Sequence, residues 1–194
     1  MHEKRFDASM AHRLDHPERL AWLPPQDVVR ALDVKGGATV ADLGAGTGYF
    51  ALPLASAVGA NGRVIAVDAQ QEMLDHLRRK IAAAAVSNIE LVCAEADRTS
   101  LPGASANLVF LANVWHEIPD RAAVLAEVRR ILNPRGRVAI LDWRPDVPPD
   151  HGPPLEHRLS AASAAEELIA AGYHALAQQN VGRYAWLVQA AAEG

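Results

Sequence analysis

Apolar residues in this chain gather in short runs of two kinds. Thr39 to Leu43, Arg63 to Val67, Ile89 to Cys93, Asn107 to Ala112 and Arg137 to Leu141 are too short for helices. They are apolar at nearly successive positions, as strands buried on both faces are. Helical stretches lie between them. Pro24-Pro25 opens one that runs to about Leu32, since proline is tolerated in a first turn, and Gly36-Gly37 ends it. Gly48 to Val58 is the next, stopped by Gly59 and Gly62. Gln70 to Ala85 follows, with Met73, Leu74, Leu77 and Ile81 on one face. Asp120 to Leu132 is predicted to be capped by Asp120, and Ser160 to Ala171 by Ser160 and ended by Gly172. Asn133-Pro134-Arg135-Gly136 reads as a turn and Asp146 to Pro154 as a loop. Tyr173 to Val181 and Arg183 to Ala190, with Gly182 between them, read as an antiparallel pair.

Alternating strands and helices from Thr39 to Leu141 predict a doubly wound α/β fold. Its five parallel strands and the closing hairpin make a seven-stranded, mostly parallel sheet. Residues 1–36 form a polar, weakly periodic leader ending in one helix, and residues 37–194 form the core. A length of 194 residues fits one domain overall.

Composition narrows the function classes. The net charge is −4, and Arg78-Arg79-Lys80 falls late in a predicted helix, where it suits the helix dipole. This disfavours nucleic acid as a substrate. The single cysteine, Cys93, forbids an internal disulfide, fits a reducing cytoplasm, and is expected to be a small buried hydrophobe. The first ten residues lack the apolar segment of a signal peptide. No apolar run approaches the ~20 residues of a membrane span.

The chemistry concentrates where the first strand ends. Val40 to Phe50 reads VADLGAGTGYF, with Gly44, Gly46 and Gly48 at alternate positions after Asp42. A buried strand that breaks into a glycine loop and then a helix exposes backbone N–H groups to a ligand. A dinucleotide fingerprint needs its third glycine one position later, where this chain has Tyr49. Asp68 ends the second strand, where a carboxylate can accept both hydroxyls of a ribose or cap the helix that follows. Ala96-Asp97 follows the third strand, with Asp97 four residues before Leu101-Pro102, and Asn113 follows the fourth.

The pattern D-x-G-x-G-x-G resembles motif I of the class I S-adenosylmethionine (SAM) methyltransferases. The whole chain resembles the small-molecule members grouped with the ubiquinone- and menaquinone-biosynthesis type. His12-Arg13-Leu14-Asp15-His16-Pro17-Glu18-Arg19, Trp22-Leu23-Pro24-Pro25 and Gly152-Pro153-Pro154-Leu155-Glu156-His157-Arg158 look like segments of a subgroup of these proteins. The resemblance implies a Rossmann-like methyltransferase fold that binds SAM and releases S-adenosylhomocysteine. It implies that Asp42, Gly44, Ala45, Gly46, Thr47 and Gly48 cradle SAM. Asp68 would hold the ribose, Ala96 and Asp97 the adenine, and Asn113 would lie near the methionine part. The leader would fold over the site as a lid, with Trp115 and His116 facing the acceptor pocket.

A small-molecule acceptor methylated on oxygen, carbon or sulfur is therefore expected. A hydroxyl acceptor would benefit from a general base, with His116 first, His12 second, and His151 and His157 as further options. The Asn-Pro-Pro-Tyr typical of enzymes that methylate exocyclic amines is missing, which weakens DNA or protein amine methylation. Arsenite methyltransferases need several cysteines, and this chain has one. Asp142, Asp146 and Asp150 lack a ligand spacing, so no metal is implied. Trp22, Trp115 and Trp143 could form a partly aromatic acceptor pocket or lie in the core. An NAD(P)-dependent oxidoreductase and a non-catalytic SAM-binding regulatory protein stand as alternatives, and a homodimer stays open.

Overall fold

The computed structural model describes residues 6–148 and 151–192. Asp150 of the expected loop and the first five residues of the leader lie outside them. Seven strands form one sheet in the order β3-β2-β1-β4-β5-β7-β6. The strands are β1 (Thr39–Leu43), β2 (Arg63–Asp68), β3 (Ile89–Cys93), β4 (Ala106–Ala112), β5 (Leu132–Trp143), β6 (Tyr173–Val181) and β7 (Ala185–Ala192). The first five pair in parallel, and β7 runs antiparallel to both β5 and β6. The expected mostly parallel sheet with a closing hairpin is the one observed.

Side-chain alternation explains the apolar runs. On β1, Val40 faces one core with Val64, Phe110 and Leu141, whereas Ala41 and Leu43 face the other with Val67, Val109 and Ile140. The first core is closed by α3 (Pro25–Leu32), α4 (Ala51–Val58) and Leu77 of α5 (Gln71–Ala83). The second is closed by α6 (Arg121–Ile131) and α7 (Ala161–Ala170). Helices therefore cover both faces, and the strand order reverses between β1 and β4. Ligands of open α/β sheets bind at such a switch point, outside the carboxyl ends of the strands.

Several boundaries differ from the sequence reading for physical reasons. The helix after the glycine loop begins at Ala51 and not Gly48, because Gly48 has φ +83° and cannot be a helical residue. Asp33, at φ 47°, ends α3 ahead of Gly36. The Asn133–Gly136 turn is a bulge inside β5: Ala106 pairs with Leu132 and Leu108 with Arg137, so the residues between swing out of the ladder. Cys93 is exposed and not a core residue, because β3 is an edge strand that is only half covered. Asp120 and Ser160 cap α6 and α7 as expected, accepting from Ala123 N and Ser163 N.

The leader holds two single-turn helices, α1 (Ala11–Leu14) and α2 (Arg19–Trp22), laid across the strand ends. It is anchored at several points. Asp15 accepts from Thr47 Oγ1 and from Lys80 Nζ. The Leu23 carbonyl accepts from Tyr49 Oη at 2.7 Å, and the Trp22 carbonyl from Arg183 N at 2.9 Å. Among the described residues no helix is long and apolar enough to cross a membrane.

Candidate functional site

A cavity of about 410 Å³ opens at the switch point, between the carboxyl ends of the strands and the leader. Its floor is the glycine loop. Gly44 and Gly48 both have positive φ, at +74° and +83°. A Cβ on Gly44 would stand 2.6 Å from Val114 Cγ1, and one on Gly48 would stand 2.2 Å from Leu77 Cδ1. Only glycine satisfies both the backbone angle and the space. Asp68 clamps the loop: one carboxylate oxygen accepts from Gly46 N at 2.8 Å and the other from Gln70 N at 2.9 Å. The cap role weighed for Asp68 is not formed, since Gln70 holds the N-cap of the helix Gln71–Ala83 without a side-chain cap bond; Asp68 bonds the chain just ahead of that helix and grips the glycine loop.

Of the residues expected to cradle a ligand, Asp42, Gly44, Ala45, Gly46, Thr47, Asp68, Ala96, Asp97 and Asn113 line the cavity. Gly48 does not; it lies against Leu77 beneath the loop. Among the described lining residues, Asp42 and Asn113 carry unmet hydrogen-bonding capacity, as does Nε of Arg19. Asp42 Oδ2 and both amide atoms of Asn113 are buried without a partner among the described residues. Asn113 itself sits at φ 57°, a conformation asparagine tolerates better than most residues, with its N–H given to the Leu141 carbonyl at 2.7 Å. Burial, reinforced by the charge of Asp68, pushes the Asp42 carboxyl up to about 7.

The other wall, the short 3₁₀ turn Trp115–Glu117 after β4, is arranged differently from the sequence expectation. Trp115 does not face the cavity. It is fully buried in the core, and its indole N–H donates to Glu167 at 2.9 Å. His116 is also outside the cavity wall. Its ring Nδ1 lies 2.8 Å from Asp142 Oδ1, and its backbone N–H donates to Asp142 Oδ2 at 2.9 Å. Burial alone would lower the imidazole's proton affinity, but the Asp142 hydrogen bond and the charges of Asp142 and Glu117 outweigh it and raise the pKa. The residue that reaches the cavity is Glu117. Its carboxylate accepts from Phe6 N at 3.2 Å and lies 3.6 Å from His116 Nε2. Burial raises its pKa against the lowering effect of His116.

The remaining histidines are elsewhere. His12 is exposed on the leader. His151 stacks on Trp22 at 5.3 Å, within a cluster that includes Trp143 and Tyr184. Neither His151 nor His157 lines the cavity. Sequence reasoning passed over Arg19, Tyr49 and Glu117, all of which do. Glu117 follows His116 directly, and its place in the stretch after β4 was the one available signal.

Comparison with known proteins agrees with this geometry. A methyltransferase domain model matches residues 40–136, half of the chain. Demethylmenaquinone methyltransferase of Shouchella clausii is 33% identical over 124 residues, 63% of this chain and 53% of that protein. Arsenite methyltransferase of Halobacterium salinarum is 36% identical over 106 residues, 55% of this chain and 27% of that protein. The chain thus spans little more than half the length of the first of these relatives and about a quarter of the second. The crystal structure of a SAM-dependent methyltransferase from Aquifex aeolicus superposes with a TM-score of 0.91 at 32% identity, covering 96% of this chain and 98% of that one. With strand order, glycine loop and near full-length likeness in accord, the chain belongs to the methyltransferase domain family of class I SAM-dependent methyltransferases.

Proposed function

We propose that this protein transfers a methyl group from SAM to a small-molecule acceptor and releases S-adenosylhomocysteine. The observation that carries this is the cavity at the switch point, where a glycine cradle meets buried, unpartnered polar atoms of Asp42 and Asn113. Those atoms fit a ligand with both hydrogen-bond donors and acceptors, such as the amino-acid portion of SAM. Asp68 would receive the ribose hydroxyls, since each carboxylate oxygen can accept more than one hydrogen bond. Asp97, an exposed residue of the cavity wall, would meet the adenine edge. The leader would close the site from above and exclude water.

SAM supplies a methyl group already activated by its sulfonium, so the chain's task is to align the acceptor and manage its proton. Glu117 is the base best placed to take that proton from a phenol or quinol. His116, backed by Asp142, would hold Glu117 in place and not touch the acceptor. This revises the sequence expectation that His116 itself is the base. A quinol also fits better than arsenite, a thiophilic centre for which the chain has only Cys93, exposed on an edge strand. The glycine spacing and the family likeness speak against an oxidoreductase.

The test is transfer of label from methyl-labelled SAM to a panel of quinols, phenols and thiols. Label in a quinol or phenol product supports the reading. Tight SAM binding with no transfer to any of the panel would favour a non-catalytic SAM-binding protein.

A further inference from the structure

A second cavity, of about 420 Å³, lies at the opposite pole of the sheet. It is formed by the turn between α3 and β1, the first residues of β4, and Arg135 and Arg137 of β5. The length of β1, at roughly 3.3 Å per residue, keeps it about 13 Å from the glycine loop. Lys35, Arg135 and Arg137 share this cavity with one carboxylate, Asp33, in a chain whose net charge is −4.

Asp33 is already engaged, its two carboxylate oxygens accepting from Lys35 Nζ at 2.7 and 2.6 Å. The side-chain groups left over are donors. Asn107 Oδ1 accepts from Thr39 N at 2.8 Å, which leaves the Nδ2 hydrogens without a partner among the described residues. Arg137 Nη2 donates to the Leu32 carbonyl and, at 2.9 Å, to that of Asp33, while Nε and Nη1 have no partner among the described residues. The Arg135 guanidinium has none there either; only its backbone N–H is bonded, to Asn133 Oδ1 at 3.1 Å.

The backbone adds to this donor set. The bulge in β5 swings Arg135 out of the ladder, and Gly136 lets the bulge close, since a Cβ there would stand 2.8 Å from Leu132 Cδ2 and 3.0 Å from the Ala106 carbonyl oxygen. Gly36 is different. Its φ is not positive, and a Cβ on it would meet nothing within 4 Å, so neither conformation nor packing requires glycine there. Its N–H makes no hydrogen bond among the described residues. A bare, unbonded N–H beside cations suits the close approach of an anion.

We propose that this cavity is a second ligand site, separate from the SAM site, which takes a small molecule carrying a diphosphate group. Two guanidiniums beyond the Lys35–Asp33 pair suit an anion with two phosphoryl groups, and the planar N–H fork of arginine matches phosphate oxygens. Val34 and Leu108 supply an apolar floor for an organic part. A concave space of this size suits a small molecule better than a membrane surface.

The test is isothermal titration calorimetry of the full chain with inorganic pyrophosphate at about 0.15 M salt. One site per chain is expected, and sulfate at equal ionic strength should bind at least about tenfold more weakly. Arg135→Ala, at an exposed residue, should keep the melting temperature and weaken pyrophosphate about 10- to 100-fold. Gly36→Ala should keep or raise the melting temperature and weaken pyrophosphate several-fold, because its methyl group intrudes where the anion meets the backbone. S-adenosylhomocysteine in excess should not displace pyrophosphate. No heat from wild type at millimolar pyrophosphate, sulfate binding as tightly, or unchanged affinity in either variant would overturn the proposal. Displacement by S-adenosylhomocysteine would place the anion in the first cavity and overturn it as well. So would binding of the chain to vesicles containing phosphatidic acid without binding of pyrophosphate, which would assign the cations to a membrane surface.

Discussion

The two walls of the cavity are built on different physical principles. The glycine-loop wall is backbone: Gly44 and Gly48 fix its path through positive φ and close contacts, and Asp68 ties it down through Gly46 N. The Trp115–Glu117 wall is side chain, and each residue there is aimed by a partner far away in sequence. Trp115 is drawn inward by Glu167, His116 by Asp142, and Glu117 is held at the cavity by Phe6 of the leader. A backbone wall tolerates little change in residue type and is set locally. A side-chain wall can be re-aimed by distant substitutions, which suits the part of a site that chooses an acceptor.

Four substitutions would sharpen or break that contrast. The largest effect is expected on the backbone wall. Gly48→Ala must hold φ +83° and place a Cβ against Leu77, and should cost about 2–4 kcal/mol in urea denaturation. An unchanged midpoint would show that the loop is less constrained than its geometry implies.

On the side-chain wall, His116 and Glu117 should separate. His116→Ala strips a buried carboxylate of its partner and should cost about 1–3 kcal/mol of stability. The folded pKa of His116 is raised, so its stabilisation is full below its ordinary value near ~6.5 and is lost as pH rises through the raised one. The penalty of His116→Ala should therefore shrink at alkaline pH, as urea melts at about pH 6 and about pH 9 would read. Glu117→Gln should leave stability nearly untouched and lower turnover. Equal effects of the two substitutions on stability and on turnover would erase the distinction between them.

The smallest effect is expected at Asp42, and with opposite sign. Its folded pKa of about 7 lies above the ordinary 3.8, so burying it costs stability that grows as pH rises between those values and then levels off. Asp42→Asn should be less stable than wild type near pH 4, because a buried amide carries its own cost, and should exceed it by about 1 kcal/mol at neutral pH, where ionising the wild-type carboxyl costs stability. Thermal melts across pH would show this, and a variant no more stable at neutral pH than at acid pH would count against a strained carboxyl there.

The same contrast explains what the sequence could disclose. β1, β2 and β3 were legible almost to the residue, because strands buried on two faces write themselves as apolar runs. The glycine loop, Asp68 and Asp97 were legible as cavity residues, because strand ends and glycines at fixed spacing are local signals. Gly48 was placed in the right loop but on the wrong side of it, since its contact with Leu77 is a tertiary fact. Trp115, His116 and Cys93 were misread for the same reason. Whether a side chain turns inward depends on Glu167, on Asp142, or on a strand's place at a sheet edge, and none of these is near in sequence. Arg19 gave no signal at all, because an arginine in a polar leader is ordinarily solvated.

The central claim is that the backbone wall and Asp68 form a SAM site, and calorimetric titration of the full chain with S-adenosylhomocysteine tests it most directly. One site per chain is expected, weakened about 10- to 100-fold in Asp68→Ala through loss of the ribose contact and of the clamp on Gly46. Absence of binding to wild type, or an affinity unchanged by Asp68→Ala, would contradict it.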